Sequence, residues 1–143
     1  MVKRLISGME KLIIFLKPYS KYMFITWIVI IAVISSIPNL PTPKITTGKV
    51  ELRIDYIFHF CEYAFLTFIT FLTLVRKDFK LTLQKYLLIT LCLIIFAVAD
   101  EYHQKLIPGR SFNVKDILSN LSGVSGGLLF CIVVFRTIAN RLK

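Results

Sequence analysis

Apolar residues in this 143-residue chain fall into four long runs, each separated from the next by proline, glycine or charge. The runs cover residues 19–37, 54–75, 84–102 and 116–135, each near the roughly 20 residues that cross a hydrocarbon core. Ahead of the first run, Leu5, Met9, Leu12, Ile13 and Leu16 recur at helical spacing among Lys3, Arg4, Lys11 and Lys17. That pattern predicts a short basic amphipathic helix lying in the membrane interface over residues 1–18, separated from the first span by Pro18. Residues 38–53 hold Pro38, Pro41, Pro43 and Gly48, which rule out a continuous helix and predict a loop. The expected fold is all-α, a four-transmembrane-helix bundle occupying residues 19–143 behind the interfacial segment. A basic start before an apolar run also describes a secretory signal peptide. No small-residue cleavage site follows, so the first run is read as an uncleaved span.

Composition supports the same class. Hydrophobic residues make up 56% of the chain, against about 45–50% in soluble domains. A soluble fold this small could not bury so much apolar surface. The net charge of +10 would suggest nucleic acid in a soluble protein. Here the basic residues sit between apolar runs, where headgroups and topology account for them, and no nucleic-acid motif accompanies them. Twelve Lys and Arg flank one side of the expected spans and six the other, which predicts a plasma-membrane protein with both termini cytoplasmic. Cys61, Cys92 and Cys131 lie in three different runs without a CxxC pair. They read as small hydrophobes at helix contacts, with no disulfide or zinc framework.

The polar residues within the runs are clustered. Asp55 and His59 open the second run at i, i+4, with Glu62 and Tyr63 one turn further in. Asp100, Glu101 and Gln104 close the third. Asp116 and Asn120 open the fourth at i, i+4. Such spacings share a helical face, and antiparallel neighbours bring all three sets to the outer membrane level. Ionisable groups there are costly and face a bundle interior or a wet cavity, which makes them a site hypothesis. Asp116 also suits the N-cap of the fourth helix. Ser119, Gly123 and Gly127, with Ser122 and Gly126, form small-xxx-small faces for close helix packing. Pro108-Gly109-Arg110 makes a tight turn that would aim Arg110 at the acids. Its planar fork suits either a ligand's phosphate or carboxylate, or an internal carboxylate.

These residues together resemble the VanZ-like family of small bacterial membrane proteins. The resemblance runs from Ser35-Ser36-Ile37-Pro38 through His59-Phe60-Cys61-Glu62-Tyr63 and Asp100-Glu101-Tyr102-His103-Gln104. It continues with Pro108-Gly109-Arg110 and with Asp116, Asn120 and Gly123. Tyr56 departs from it, since many relatives carry lysine after the aspartate. The resemblance implies a cell-envelope context, and its namesake is associated with low-level resistance to teicoplanin, a lipoglycopeptide. It implies no particular reaction.

Two functions fit the residues. In one, the protein binds an anionic lipid or a lipid-linked cell-wall precursor headgroup through Arg110, with Lys105 and Lys115 nearby and Glu62, Gln104, Asp116 and Asn120 lining the site. In the other, it is a membrane-embedded hydrolase or transferase acting on such a lipid. Asp100 or Glu101 would then be general base, His59 acid or metal ligand, and Arg110 the stabiliser of developing negative charge. A histidine with two carboxylates can hold a divalent metal, but the spacing matches no named metal motif. The residues specify no cofactor. An ion pathway fits less well, because the cytoplasmic halves of the spans offer no relay.

Overall fold

The computed structural model describes the backbone at residues 2–39, 44–47 and 50–142, and side chains at 8–39 and 54–142. Among the described residues, four helices are long and apolar enough to cross a membrane. The order is α1 (Val2–Leu16), a 3-10 turn (Lys17–Tyr19), α2 (Ser20–Ser35), a hairpin of β1 (Lys44–Thr47) and β2 (Val50–Arg53), then α3 (Asp55–Leu74), α4 (Leu83–Gln104) and α5 (Val114–Arg141). The spanning part is entirely helical. The antiparallel hairpin, with Thr47 opposite Val50, lies in the segment read from sequence only as a loop.

Pro18 does not break the chain between α1 and α2. It occupies the 3-10 turn, where its missing N–H costs little, and the Ser20 hydroxyl donates to the Lys17 carbonyl at 2.7 Å. Residues Gly8–Ser35 thereby form one candidate span. Near its start Ile13 is buried while Leu12 and Phe15 stay exposed. Glu10, also buried, receives Arg141 Nη1 at 2.7 Å from the end of α5.

Helix α3 is the centre of the bundle. It buries Tyr63, Leu66, Ile69, Phe71 and Leu72, and α2, α4 and α5 all pack against it. Helix α2 runs antiparallel to it, with Trp27 edge-on to Phe65 at 4.7 Å and Trp27 Nε1 donating to the Glu62 carbonyl at 3.1 Å. At the other end Lys17 Nζ donates to the carbonyls of Leu72 at 2.5 Å and Val75 at 2.6 Å. A helix end leaves such carbonyls without partners, and a cation there also opposes the negative end of the helix dipole.

The most extensive helix contact joins α3 and α5, which run parallel. Gly123 lies so close to α3 that a Cβ there would collide with the Phe60 carbonyl oxygen, and one on Gly127 would meet the Ala64 carbonyl at 2.7 Å. The small residues of α5 thus permit backbone approach, the use expected of small-xxx-small faces. Ser122 and Ser125 point outward and bond their own helix, to the carbonyls of Leu118 and Leu121. Large exposed apolar side chains such as Val29, Leu87 and Val133 cover the outside, as lipid contact requires. The three cysteines are free. Cys131 fits the reading as a buried small hydrophobe, whereas Cys61 and Cys92 are exposed on the outer surface.

Candidate functional site

The helix ends place the polar residues at one end of the bundle, in two groups back to back. Asp100 and Glu101 separate them. Adjacent residues on a helix point roughly 100° apart, so the two carboxylates look toward different neighbours.

Asp100 faces α2 and α3. Its Oδ1 accepts from Ser35 Oγ at 2.6 Å. Its Oδ2 accepts from the Tyr63 hydroxyl at 3.2 Å and from Gln104 Nε2 at 3.1 Å. Asp100, Ser35, Tyr63 and Gln104 are all buried. The chain of bonds continues outward, because Arg110 Nη2 donates to Gln104 Oε1 at 2.6 Å. Three donors hold the Asp100 carboxylate inside the bundle and engage most of its acceptor sites.

Glu101 faces α5. Its Oε1 accepts from the Asn113 backbone N–H at 2.8 Å, while Oε2 is buried with no hydrogen-bond partner among the described residues. Asn113, not Asp116, is the N-cap of α5: its side chain accepts from Lys115 N at 3.0 Å. Asp116 sits in the first helical turn and accepts from Asn113 Nδ2 at 3.1 Å. The capping expectation for Asp116 is thereby corrected by one turn. The pattern Asn113-x-x-Asp116 was the available signal, being close kin to the capping box.

His59 from α3 reaches Asp116 rather than Asp100 or Glu101, with Nε2 at 3.9 Å from Asp116 Oδ2. Its Nδ1 is buried without a partner, as are both amide atoms of the fully buried Asn120. The α3–α5 side of the site therefore holds several polar atoms with unused hydrogen-bonding capacity, an unusual arrangement at such burial. His59, Asp100 and Glu101 do not meet as one catalytic set. Among the described residues, no three His, Cys, Asp or Glu side chains converge as a metal-binding group.

Arg110 stands at the rim. Glu62 lies within electrostatic reach of both Asp100 and Arg110, yet among the described residues Arg110 makes no ion pair. The turn that carries it is fixed by Gly109 at φ 76°, a conformation that favours glycine. A Cβ at Gly109 would collide with the Asn39 side chain. Asn39 N also donates to the Pro108 carbonyl at 3.2 Å, tying this turn to the segment after α2. Beside it, Ser36 Oγ and His103 Nε2 are 3.1 Å apart on the surface. Ser35 and Ser36, for which the sequence offers no partner, both bond to residues at the end of α4.

Fold and site together define a multi-pass membrane protein with a buried polar network at one end of a four-span bundle. The family model of VanZ/LLP1 matches residues 12–136. The chain belongs to the VanZ/LLP1 family. No curated protein and no solved structure matches it.

Proposed function

We propose that this protein binds an anionic lipid or lipid-linked headgroup at the outer face of the bacterial plasma membrane, with Arg110 meeting the ligand's negative charge. The observation that carries the reading is the state of Arg110. It is anchored at 2.6 Å to the neutral Gln104, in no ion pair among the described residues, and so keeps its charge and most of its donors for a ligand. Of the acids near it, Asp100 is engaged by three donors and Asp116 by Asn113 and His59, while Glu62 and Glu101 act on Arg110 at longer range without pairing with it. Lys105 and Lys115 are exposed beside it. The twelve-to-six bias of Lys and Arg supports an orientation with both termini cytoplasmic and this site outside. A lipid-linked cell-wall precursor is the candidate ligand that the family context favours, with reduced susceptibility to teicoplanin-type glycopeptides as its cellular consequence.

The test is retention of a polyprenyl diphosphate by purified protein in native mass spectrometry. Arg110→Ala should lower retention about 10- to 100-fold, the equivalent of losing a charge-assisted hydrogen-bonded pair of ~1.5–3 kcal/mol. Arg110→Lys should lie between. Equal retention by a folded Arg110→Ala protein would sink the reading.

One observation favours a second reading, a hydrolase or transferase acting on such a lipid. Glu101 has a buried oxygen without a partner, as a general base awaiting a substrate hydroxyl or water would have. If so, Glu101→Gln abolishes turnover of a lipid phosphate while leaving the melting temperature unchanged. Absence of turnover by the wild type with any common divalent metal removes this reading.

A further inference from the structure

At the end of the bundle away from the polar network, α4 and α5 part and a groove of about 560 Å³ opens between them. Its α4 wall runs from Leu83 through Leu87 and Thr90 to Ile94, and its α5 wall through Leu128, Ile132 and Arg136. Both walls keep helical spacing. From Leu83 to Ile94 the rise is about 16 Å, roughly half of a hydrocarbon core about 30 Å thick. The groove is one leaflet deep.

Its two ends differ in chemistry. The deep end is aliphatic, closed by Ile94 and Leu128, while Lys80, Arg136 and Asn140 stand at the mouth. No carboxylate lines it. Asp78, nearby in sequence, is 3.8 Å from Arg76, and among the described residues neither Lys80 nor Arg136 has an ion pair. Bulk lipid needs no such groove, since exposed leucines around the bundle already meet it. A recess with an apolar shaft and two unpaired cations at its mouth matches one phospholipid, its chain in the shaft and its phosphate at the mouth. Basic pockets between membrane helices recognise anionic headgroups by this combination of charge and apolar burial.

We propose that the α4–α5 groove binds one anionic glycerophospholipid from the leaflet on the Arg136 side, an acyl chain in the groove and its phosphate on Arg136 and Lys80. The assignment is independent of the Arg110 site, which lies at the opposite ends of the same two helices.

The experiment uses the full chain purified in detergent and titrated with phosphatidylglycerol or phosphatidylcholine of identical chains, with bound lipid counted by native mass spectrometry. One phosphatidylglycerol should be retained about tenfold over phosphatidylcholine, a preference typical of a pair of basic contacts. Lys80→Ala/Arg136→Ala, both at exposed positions, should erase that preference, and Leu128→Trp, which fills the shaft, should lower retention of both lipids. Arg110→Ala should leave phosphatidylglycerol binding as it is. The proposal fails if the double variant keeps the wild-type preference, or if Arg110→Ala removes it. It fails equally if excess phosphatidylglycerol leaves the groove closed by a second copy of the chain in a stable dimer.

Discussion

Gly123→Ala should melt well below the wild type in detergent, although it adds only one methyl group. The new Cβ would collide with the Phe60 carbonyl oxygen and lie 3.0 Å from the Ala64 nitrogen. These are backbone atoms of the central helix and have no rotamer to escape into, so α3 and α5 must move apart. Separation there also loosens Gly127 against Thr67, whose Cβ is 2.8 Å from the position a Gly127 Cβ would take. Overpacking of this kind costs about 1–3 kcal/mol or more, a large part of a total that is about 5–15 kcal/mol in soluble domains. Gly126→Ala is the control. Its Cβ would meet only the Phe60 ring, at 3.4 Å, and alanine gains about 1 kcal/mol in helix propensity. Gly126→Ala should melt at or above the wild type. If the two alanine variants melt together, the close α3–α5 approach is not what holds the bundle.

Asp100→Ala should be at least as damaging. It leaves the Ser35 hydroxyl, the Tyr63 hydroxyl and the Gln104 amide without their acceptor, all of them buried. Each orphaned donor costs about 1–3 kcal/mol. Freed from Asp100, Gln104 would also position Arg110 poorly. Asp100→Asn keeps one acceptor oxygen but turns an amide donor toward donors, and should fall between. Glu101→Gln offers the contrast, because an oxygen remains to accept from Asn113 and the other position had no partner to lose. Thermal melts of the three variants check the ranking. Asp100→Ala melting like Glu101→Gln would show that the network is not structural.

The hydropathy runs made the four spans legible, because lipid imposes length and apolarity on any helix that crosses it. The convergence of three helix ends followed from antiparallel topology. The partner taken by each acid was not legible. Asp100 and Glu101 are consecutive, and only the packing of α2 on one side of α4 and α5 on the other sends the first to Ser35 and Tyr63 and the second to Asn113. His59 reads from the sequence as a partner of Asp100 or Glu101, while the tight α3–α5 contact brings it to Asp116, another of the expected site residues. Pro18 does fall at the boundary between α1 and α2, and the 3-10 turn that holds it carries the chain on, so that Gly8–Ser35 forms one candidate span. The groove between α4 and α5 left no mark in the sequence beyond lipid-facing leucines, since its shape depends on how far the two helices diverge.

The parallel pairing of α3 and α5 sets an order on biogenesis. Parallel neighbours in a membrane must be joined by a complete return crossing, and here that crossing is α4. The most extensive contact in the bundle therefore cannot form between successive segments leaving the insertion machinery. Until α5 has entered the bilayer, the face of α3 that carries Phe60, Ala64 and Thr67 lacks the glycines that match it. Entry of α5 thus serves twice, closing the centre of the bundle and delivering Asp116 and Asn120 to the polar end.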